Sequence, residues 1–430
     1  MLDRWFKLTV HRTSVKQEIL AGISTFLAMA YIMVINPNML SATGMDAGAV
    51  FVATCLAAAI GSALMGLLAN YPIALAPGMG LNAFFTFGVV GAMGHSWQVA
   101  LGCVFWSGVI FFLLSVFKLR QWLINTMPRA LKTAIAAGIG LFLAMIALQN
   151  AGIIVNNEAT LVGLGDFKSA EVLLTFFGFL VIVVLHHHRQ HAAIIMGIVL
   201  VTTLAWLLDL VPYQGLVAMP PSLSPTWWQL EWGVILDLAL WPVIIAFLFV
   251  DLFDTSGTLV AVAEQAELLD EDGHLPKADQ AMMADSGATM AGALLGTSTT
   301  TSYIESGAGV TAGGQTGLTA LTVALLFLLS LFLSPLAGMI PPYATAAALL
   351  FVAMLMLAAL RSVAWDDASE YIPVLLTALI MPFSFSISDG IAVGFIAYAL
   401  IKALTGQSGQ VPISVWVIAV LFTLRFVFLL

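Results

Sequence analysis

Apolar runs of about twenty residues recur from Leu20 to the end of the chain, and this property most restricts what it can fold into. Each run is long enough to cross a bilayer as a helix, at 1.5 Å per residue. Of the 430 residues, 61% are hydrophobic and 9% charged, with a mean hydropathy of +1.04, which excludes a soluble globular domain. The expected fold class is an all-α polytopic membrane protein.

Residues 1–17 carry Arg4, Lys7, Arg12 and Lys16 and read as a cytoplasmic amphipathic lead-in; no cleavable signal peptide is expected. Spans 1 and 2 are expected at 18–40 and 47–70, with the first closing at Asn36-Pro37-Asn38. The next apolar stretch, 71–88, holds Pro72, Pro77, Gly78 and Gly80, so an extended piece followed by a half-helix from Gly78 is expected. Spans 4 to 7 fall at 97–117, 130–151, 170–186 and 192–211, and span 8 at 233–256. After the acidic loop 264–280 come spans at 281–295, 297–313 (broken), 316–339 and 343–360. Residues 369–405, punctuated by Pro373, Pro382 and Ser388-Asp389-Gly390, read as one long or split span, and 411–430 as the last. The net charge of −9 owes much to the acidic loop and identifies no partner. Cys55 and Cys103 lie inside apolar segments and read as packing residues. His186, His187, His188 and His191 read as an interfacial cluster rather than a metal site.

Acid groups mark where the chain does chemistry. Asp251 and Asp254 are three apart in an apolar span, so they share a helix face. A carboxylate at the bilayer centre costs about 2.5–3.5 kcal/mol on insertion scales, so such residues face a cavity and have work there. Glu305 follows the run Gly296-Thr-Ser-Thr-Thr-Thr-Ser302, a poor lipid-facing helix. Irregular backbone at membrane depth survives only against protein or a water-filled cavity.

The chain also repeats. A slide of 223 residues lays segment 71–88 on 294–311, Asn82 on Glu305, span 1 on span 8 and span 4 on span 11. Seven spans are an odd number, so the second copy enters from the opposite face. An inverted repeat with two broken helices at matching positions is a sequence pointer to a transporter's midplane site. With the N-terminus inside, the cytoplasmic segments collect Arg4, Lys7, Arg12, Lys16, Lys118, Arg120, Arg129, Lys132, Arg189, Lys277 and Arg361. Fourteen spans would return the C-terminus to the cytoplasm.

If the broken helices meet at mid-membrane, their N-termini offer unpaired N–H groups and partial positive charge. An anion carrier would leave those ends bare. Here a carboxylate occupies one end and two aspartates adjoin it, which favours a ligand rich in N–H donors, or a cation. Asn82 can donate and accept, which suits the edge of a heterocycle, and Phe84, Phe85, Phe247 and Phe253 could supply an aromatic wall. Substrate-binding candidates are therefore Asn82, Asp251, Asp254 and Glu305. No GxxxxGK[ST] motif is present, so the chain is not expected to hydrolyse ATP. Crowded carboxylates in a poorly hydrated cavity cannot all stay ionised, which makes Asp251, Asp254 and Glu305 candidates for proton coupling. Sodium is the alternative ion. No enzymatic activity, cofactor, metal or nucleic-acid partner is expected.

Four motifs in order resemble the AzgA-type purine permeases, a branch of the nucleobase–ascorbate transporters. They are Ala76-Pro-Gly-Met-Gly-Leu-Asn-Ala-Phe-Phe85, Val250-Asp-Leu-Phe-Asp-Thr-Ser-Gly-Thr-Leu259, Gly296-Thr-Ser-Thr-Thr-Thr-Ser-Tyr-Ile-Glu-Ser306 and Ala312-Gly-Gly-Gln-Thr-Gly-Leu318. The lead-in Ala21-Gly-Ile-Ser-Thr-Phe-Leu-Ala-Met-Ala-Tyr31 is similar too. The resemblance implies about 14 spans as two inverted seven-span repeats, broken in spans 3 and 10 and divided into core and gate domains. The expected core is 18–117 with 233–340, and the expected gate 118–211 with 341–430. It also implies proton-coupled uptake of purine bases across the cell (inner or plasma) membrane by an elevator-like shift, commonly as a homodimer. By motif position the substrate residues fall on Asn82, Asp251, Asp254 and Glu305. At Asp251 the resemblance is to the hypoxanthine/guanine forms, with an adenine permease as the alternative. An anion or carboxylate carrier of the same fold is a more distant reading.

Overall fold

A computed structural model describes residues 2–117, 127–157, 160–270 and 275–428. Lys118 and Arg120 of the basic loop, and Glu271 and Asp272 of the acidic one, lie outside the described residues. Among those described, nine helices are long and apolar enough to cross a membrane. Shorter apolar helices at Met79–Ala92, Ala193–Leu207, Ala368–Ser384 and Ile413–Leu424 accompany them.

The first repeat opens with α1 (Leu2–Phe6), α2 (Val15–Met29), α3 (Ile32–Ser41) and α4 (Ala47–Leu64), the last running on as a π-helical turn to Ala69. Strand β1 (Leu75–Pro77) leads into α5 (Met79–Ala83), which widens to π-helix over Phe84–Ala92. Then come α6 (Trp97–Val116), α7 (Arg129–Asn150), the hairpin β2 (Ile154–Asn157) and β3 (Leu161–Leu164), α8 (Ala170–His187) and α9 (Ala193–Leu207). The second repeat has α10 (Trp241–Gln265), α11 (Ala278–Leu295), β4 (Thr300–Ser302), α12 (Ser306–Thr311) and α13 (Gly317–Ser330). It continues with α14 (Ser334–Gly338), α15 (Pro342–Leu357), α16 (Ala368–Ser384) and α17 (Ile387–Leu404), and α18 (Ile413–Phe428) follows.

Packing carries the symmetry of the repeat. In the core, α4 faces α11, while α13 lies on α2 and α4 as α6 lies on α10 and α11. In the gate, α7 packs on α15. Each then packs on the other repeat's hairpin, α7 on α16 and α17, and α15 on α8 and α9. β1 and β4 pair antiparallel, Leu75 opposite Ser302, Ala76 opposite Thr301 and Pro77 opposite Thr300. An antiparallel pair is itself two-fold symmetric, so the axis relating the inverted repeats runs through it.

Three local expectations change. Span 1 does not close at Asn36-Pro37-Asn38, because α3 carries Pro37 inside it to Ser41. Residues 369–405 form two helices that pack together, turning at Phe385, which adopts a left-handed conformation (φ 50°). Neither proline breaks the chain, since Pro373 and Pro382 both lie within α16. The C-terminal helix α18 follows this pair.

Candidate functional site

The site is built where the two broken helices meet. Gly78 caps α5, and its N–H donates to the Thr299 carbonyl at 2.9 Å. A Cβ at this position would stand 2.6 Å from Thr301 Cγ2, so the close approach of the two repeats requires glycine. Tyr303 Oη donates to the Pro77 carbonyl at 2.6 Å, and Ser298 Oγ donates to Asn82 Oδ1. Asn82 is thereby fixed by the opposite repeat, fully buried, with Nδ2 lacking a hydrogen-bond partner among the described residues.

The acids form two neighbouring groups. Glu305 caps α12 and accepts a hydrogen bond from the Tyr31 phenol, which stands at the joint between α2 and α3. Glu305 is the charged neighbour of Asp254 on α10. One turn earlier on α10, Asp251 Oδ2 lies 3.2 Å from Thr289 Oγ1, and Asp251 stands beside Asp285 of α11. Asp285 accepts from Ser302 Oγ at 3.2 Å. Among the described residues, no salt bridge reaches any of these four carboxyls.

Asp254 faces a cavity of about 750 Å³ between core and gate, with Val250, Phe253, Ser256 and Gly257 of α10 on one wall and Lys132, Ile135, Ala136 and Ile139 of α7 on the other. It is exposed into that cavity although protein surrounds it on all sides. Lys132 Nζ stands 5.9 Å from the centre of the Phe253 ring. Glu264, Leu275 and Ala278 line the cavity farther along. A second cavity of about 220 Å³ lies between Asn38, Ser41 and Phe87 on one side and Asn150, Pro342 and Thr345 on the other. The two open toward opposite ends of α7.

Of the four expected residues, Asp254 lines the large cavity, Glu305 adjoins Asp254, and Asn82 and Asp251 are buried behind the wall. Of the four phenylalanines, Phe253 reaches the cavity, whereas Phe84, Phe85 and Phe247 are buried and Phe84 packs on Phe247 at 4.8 Å. Sequence reasoning missed Asp285, which carries the same signal as Asp251, an acid inside an apolar helix. It also missed Tyr31, whose role depends on a contact 274 residues away in sequence. The arrangement offers the Asp254 carboxyl, with Glu305 adjoining it, at one end of a cavity wide enough for a flat heterocycle, with an aromatic ring beside it.

A family model described as "Permease family" (Xan_ur_permease) matches residues 16–393. The chain is 49% identical to the adenine permease AdeP of Escherichia coli, over all of this chain and 96% of that protein. It is 46% identical to the guanine/hypoxanthine permease PbuG of Bacillus subtilis, over the whole of both. Among solved structures, the transmembrane domain of the cyanobacterial bicarbonate transporter BicA superposes with a TM-score of 0.63. That match has 14% sequence identity and covers 88% of this chain and 96% of the other.

Proposed function

The chain belongs to this permease family, and on that premise we propose that it takes up purine nucleobases, hypoxanthine and guanine ahead of adenine, by proton symport. The observation that carries the reading is Asp254 at the cavity wall with Glu305 beside it, neither of them, among the described residues, in a salt bridge. Acceptors held this way suit the N–H edges of a purine and repel an inorganic anion, so the likeness to a bicarbonate transporter is one of fold alone. Relatives whose names specify adenine and guanine/hypoxanthine, at 49% and 46% identity, support the substrate class. Coupling to a proton follows from the crowding of carboxyls, which cannot all be ionised at once.

In this reading the core comprises 18–117 and 233–340, and the gate 118–211 and 341–430. The N-terminus is cytoplasmic, in the cell membrane, and the large cavity opens to the cytoplasm. The turn at Phe385 then also brings Lys402 to the cytoplasmic side, in keeping with the bias of positive charge. A homodimer is part of the reading, and light scattering of the detergent-purified protein tests it. Uptake of radiolabelled hypoxanthine by cells expressing the protein, with and without a protonophore, tests the function. Uptake that guanine competes for and the protonophore abolishes is the expected result; uptake that adenine alone competes for would favour the adenine alternative.

A further inference from the structure

We propose that the carboxyl pair Asp251 and Asp285, behind the cavity wall, holds the proton that travels with the purine. The inference rests on the symport reading and names the group that performs it. Asp285 is completely buried and Asp251 is 1% exposed, on two helices that both pack on α6, with their carboxyls as neighbours. Among the described residues, Asp251 Oδ1 and Asp285 Oδ2 are buried atoms without a hydrogen-bond partner, with the Thr255 hydroxyl also near Asp285. Two dry carboxylates side by side would each lose solvation and repel the other, whereas one proton between them removes the repulsion and leaves a single charge to be held by hydrogen bonds.

Counting hydroxyl protons leads to the same place. Thr289 Oγ1 lies 2.9 Å from the Thr300 carbonyl and 3.2 Å from Asp251 Oδ2. It has one proton, and a carbonyl can only accept, so the shorter bond takes it. The contact with Asp251 is then a hydrogen bond only if the carboxyl is the donor. The surroundings supply no substitute charge. Asp254 on the same helix and Glu305 on α12 are acids, with the phenols of Tyr31 and Tyr303 beside them. The helices behind α11 bring the buried thiols Cys55 and Cys103. Among packed gate helices, α7 brings Lys132, at the Phe253 ring, and α17 brings Asp389, Tyr398 and Lys402, the last tied to Glu370 at 2.6 Å.

The coupling follows from position. Asp254 is a charged neighbour of both members of the pair. While the pair holds its proton, Asp254 and Glu305 can both stay ionised and accept from purine N–H groups. When the pair is fully ionised, its charge opposes theirs and the purine is released. The proton enters the pair from water on one side of the membrane and leaves to water on the other, with no other bond made or broken.

The test uses Asp285→Asn, which keeps size and cannot give up a proton. Purified protein in liposomes is given hypoxanthine under a one-unit pH difference, with a pH dye inside. Wild type should accumulate hypoxanthine roughly tenfold, the ratio set by one proton per purine. Asp285→Asn should still bind hypoxanthine in detergent but accumulate it only to parity, with hypoxanthine-driven proton movement lost and with Asp285→Glu restoring it. Protons moving with hypoxanthine at the wild-type ratio in Asp285→Asn would overturn the proposal, as would wild-type accumulation that follows sodium instead of pH. If Asp285→Asn does not reach the membrane, Thr289→Val serves. It removes the acceptor for the Asp251 proton and should move half-maximal uptake to lower pH, and an unchanged profile overturns the proposal. A wild type that binds no purine overturns the functional reading instead, which the binding measurement registers separately from the dye.

Discussion

Asp254 and Glu305 stand at or beside the large cavity, and among the described residues no salt bridge reaches either. A charge-assisted hydrogen bond contributes about 1.5–3 kcal/mol, so losing one weakens binding roughly ten- to a hundred-fold. Glu305→Gln and Asp254→Asn should each abolish hypoxanthine uptake while the protein still reaches the membrane; near-normal uptake by either would remove these residues from the site. Asp251 makes a separate prediction, that besides its place in the buried pair it also reads the purine edge. A 6-oxopurine presents an N1–H to an acceptor, whereas adenine presents a bare N1, and sites built for a substrate N–H reject analogues lacking it. Asp251→Asn should shift competition for labelled hypoxanthine toward adenine, and an unchanged ratio would assign Asp251 to the proton pair alone. The acids were legible because charge inside an apolar run has few explanations. Asp285 was legible by the same rule but lies seven residues into its helix, close enough to the acidic loop to pass as an interfacial residue. Tyr31 carried no local signal, since a tyrosine in an apolar span usually packs.

At the scale of elements, proline and glycine located the two broken helices, because β1, α5, β4 and α12 begin where those residues and the Ser/Thr run forbid a continuous helix. The same cue failed at α16, which bends around Pro373 and Pro382 and stops only at Phe385, a residue with no turn propensity of its own. Tertiary packing of the hairpin against α7 fixes that turn, and no short window of sequence records it. Glu18 is another element-level residue whose role needed the fold. It is fully buried in α2 and accepts from Gln315 N at 3.0 Å, Thr316 N at 3.1 Å and Thr319 Oγ1 at 2.7 Å, closing the start of α13. Glu18→Ala leaves these donors unpaired and should destabilise the protein by about 1.5–3 kcal/mol. Glu18→Gln should recover part of that. The measurement is Tm in detergent, alongside uptake per folded molecule, which should hold; an unaltered Tm would mean that water replaces the carboxylate without loss.

At the scale of the whole molecule, the two cavities at opposite ends of α7, one large and one small, describe a core that stands toward one side of its gate. Helix packing within each domain is extensive, while the smaller contacts between them run from α5 and α10 to α7 and α17, from α2 to α9 and from α3 to α15. A rigid core sliding along this boundary would exchange which cavity reaches the carboxyls, and locking the boundary should stop it. One place suits a lock. Gly80 of α5 faces Ile139 of α7, and a Cβ built on Gly80 would lie 3.8 Å from the Ile139 Cβ. That separation fits a disulfide, whose Cβ atoms are ordinarily about 3.5–4.5 Å apart. With Ile139 shortened to cysteine, the Cγ2 that would crowd position 80 at 2.6 Å is gone. The double variant Gly80→Cys/Ile139→Cys should carry hypoxanthine when reduced, stop when oxidised and recover with a reductant, while the oxidised protein still binds purine. The native Cys55 and Cys103 are buried and should not take part. Because binding and turnover are read on the same oxidised sample, failure to bind would point to damage at Asn82, two residues along. Normal turnover by fully cross-linked protein would show that core and gate need not move past one another, and the rigid-body mechanism would have to be abandoned.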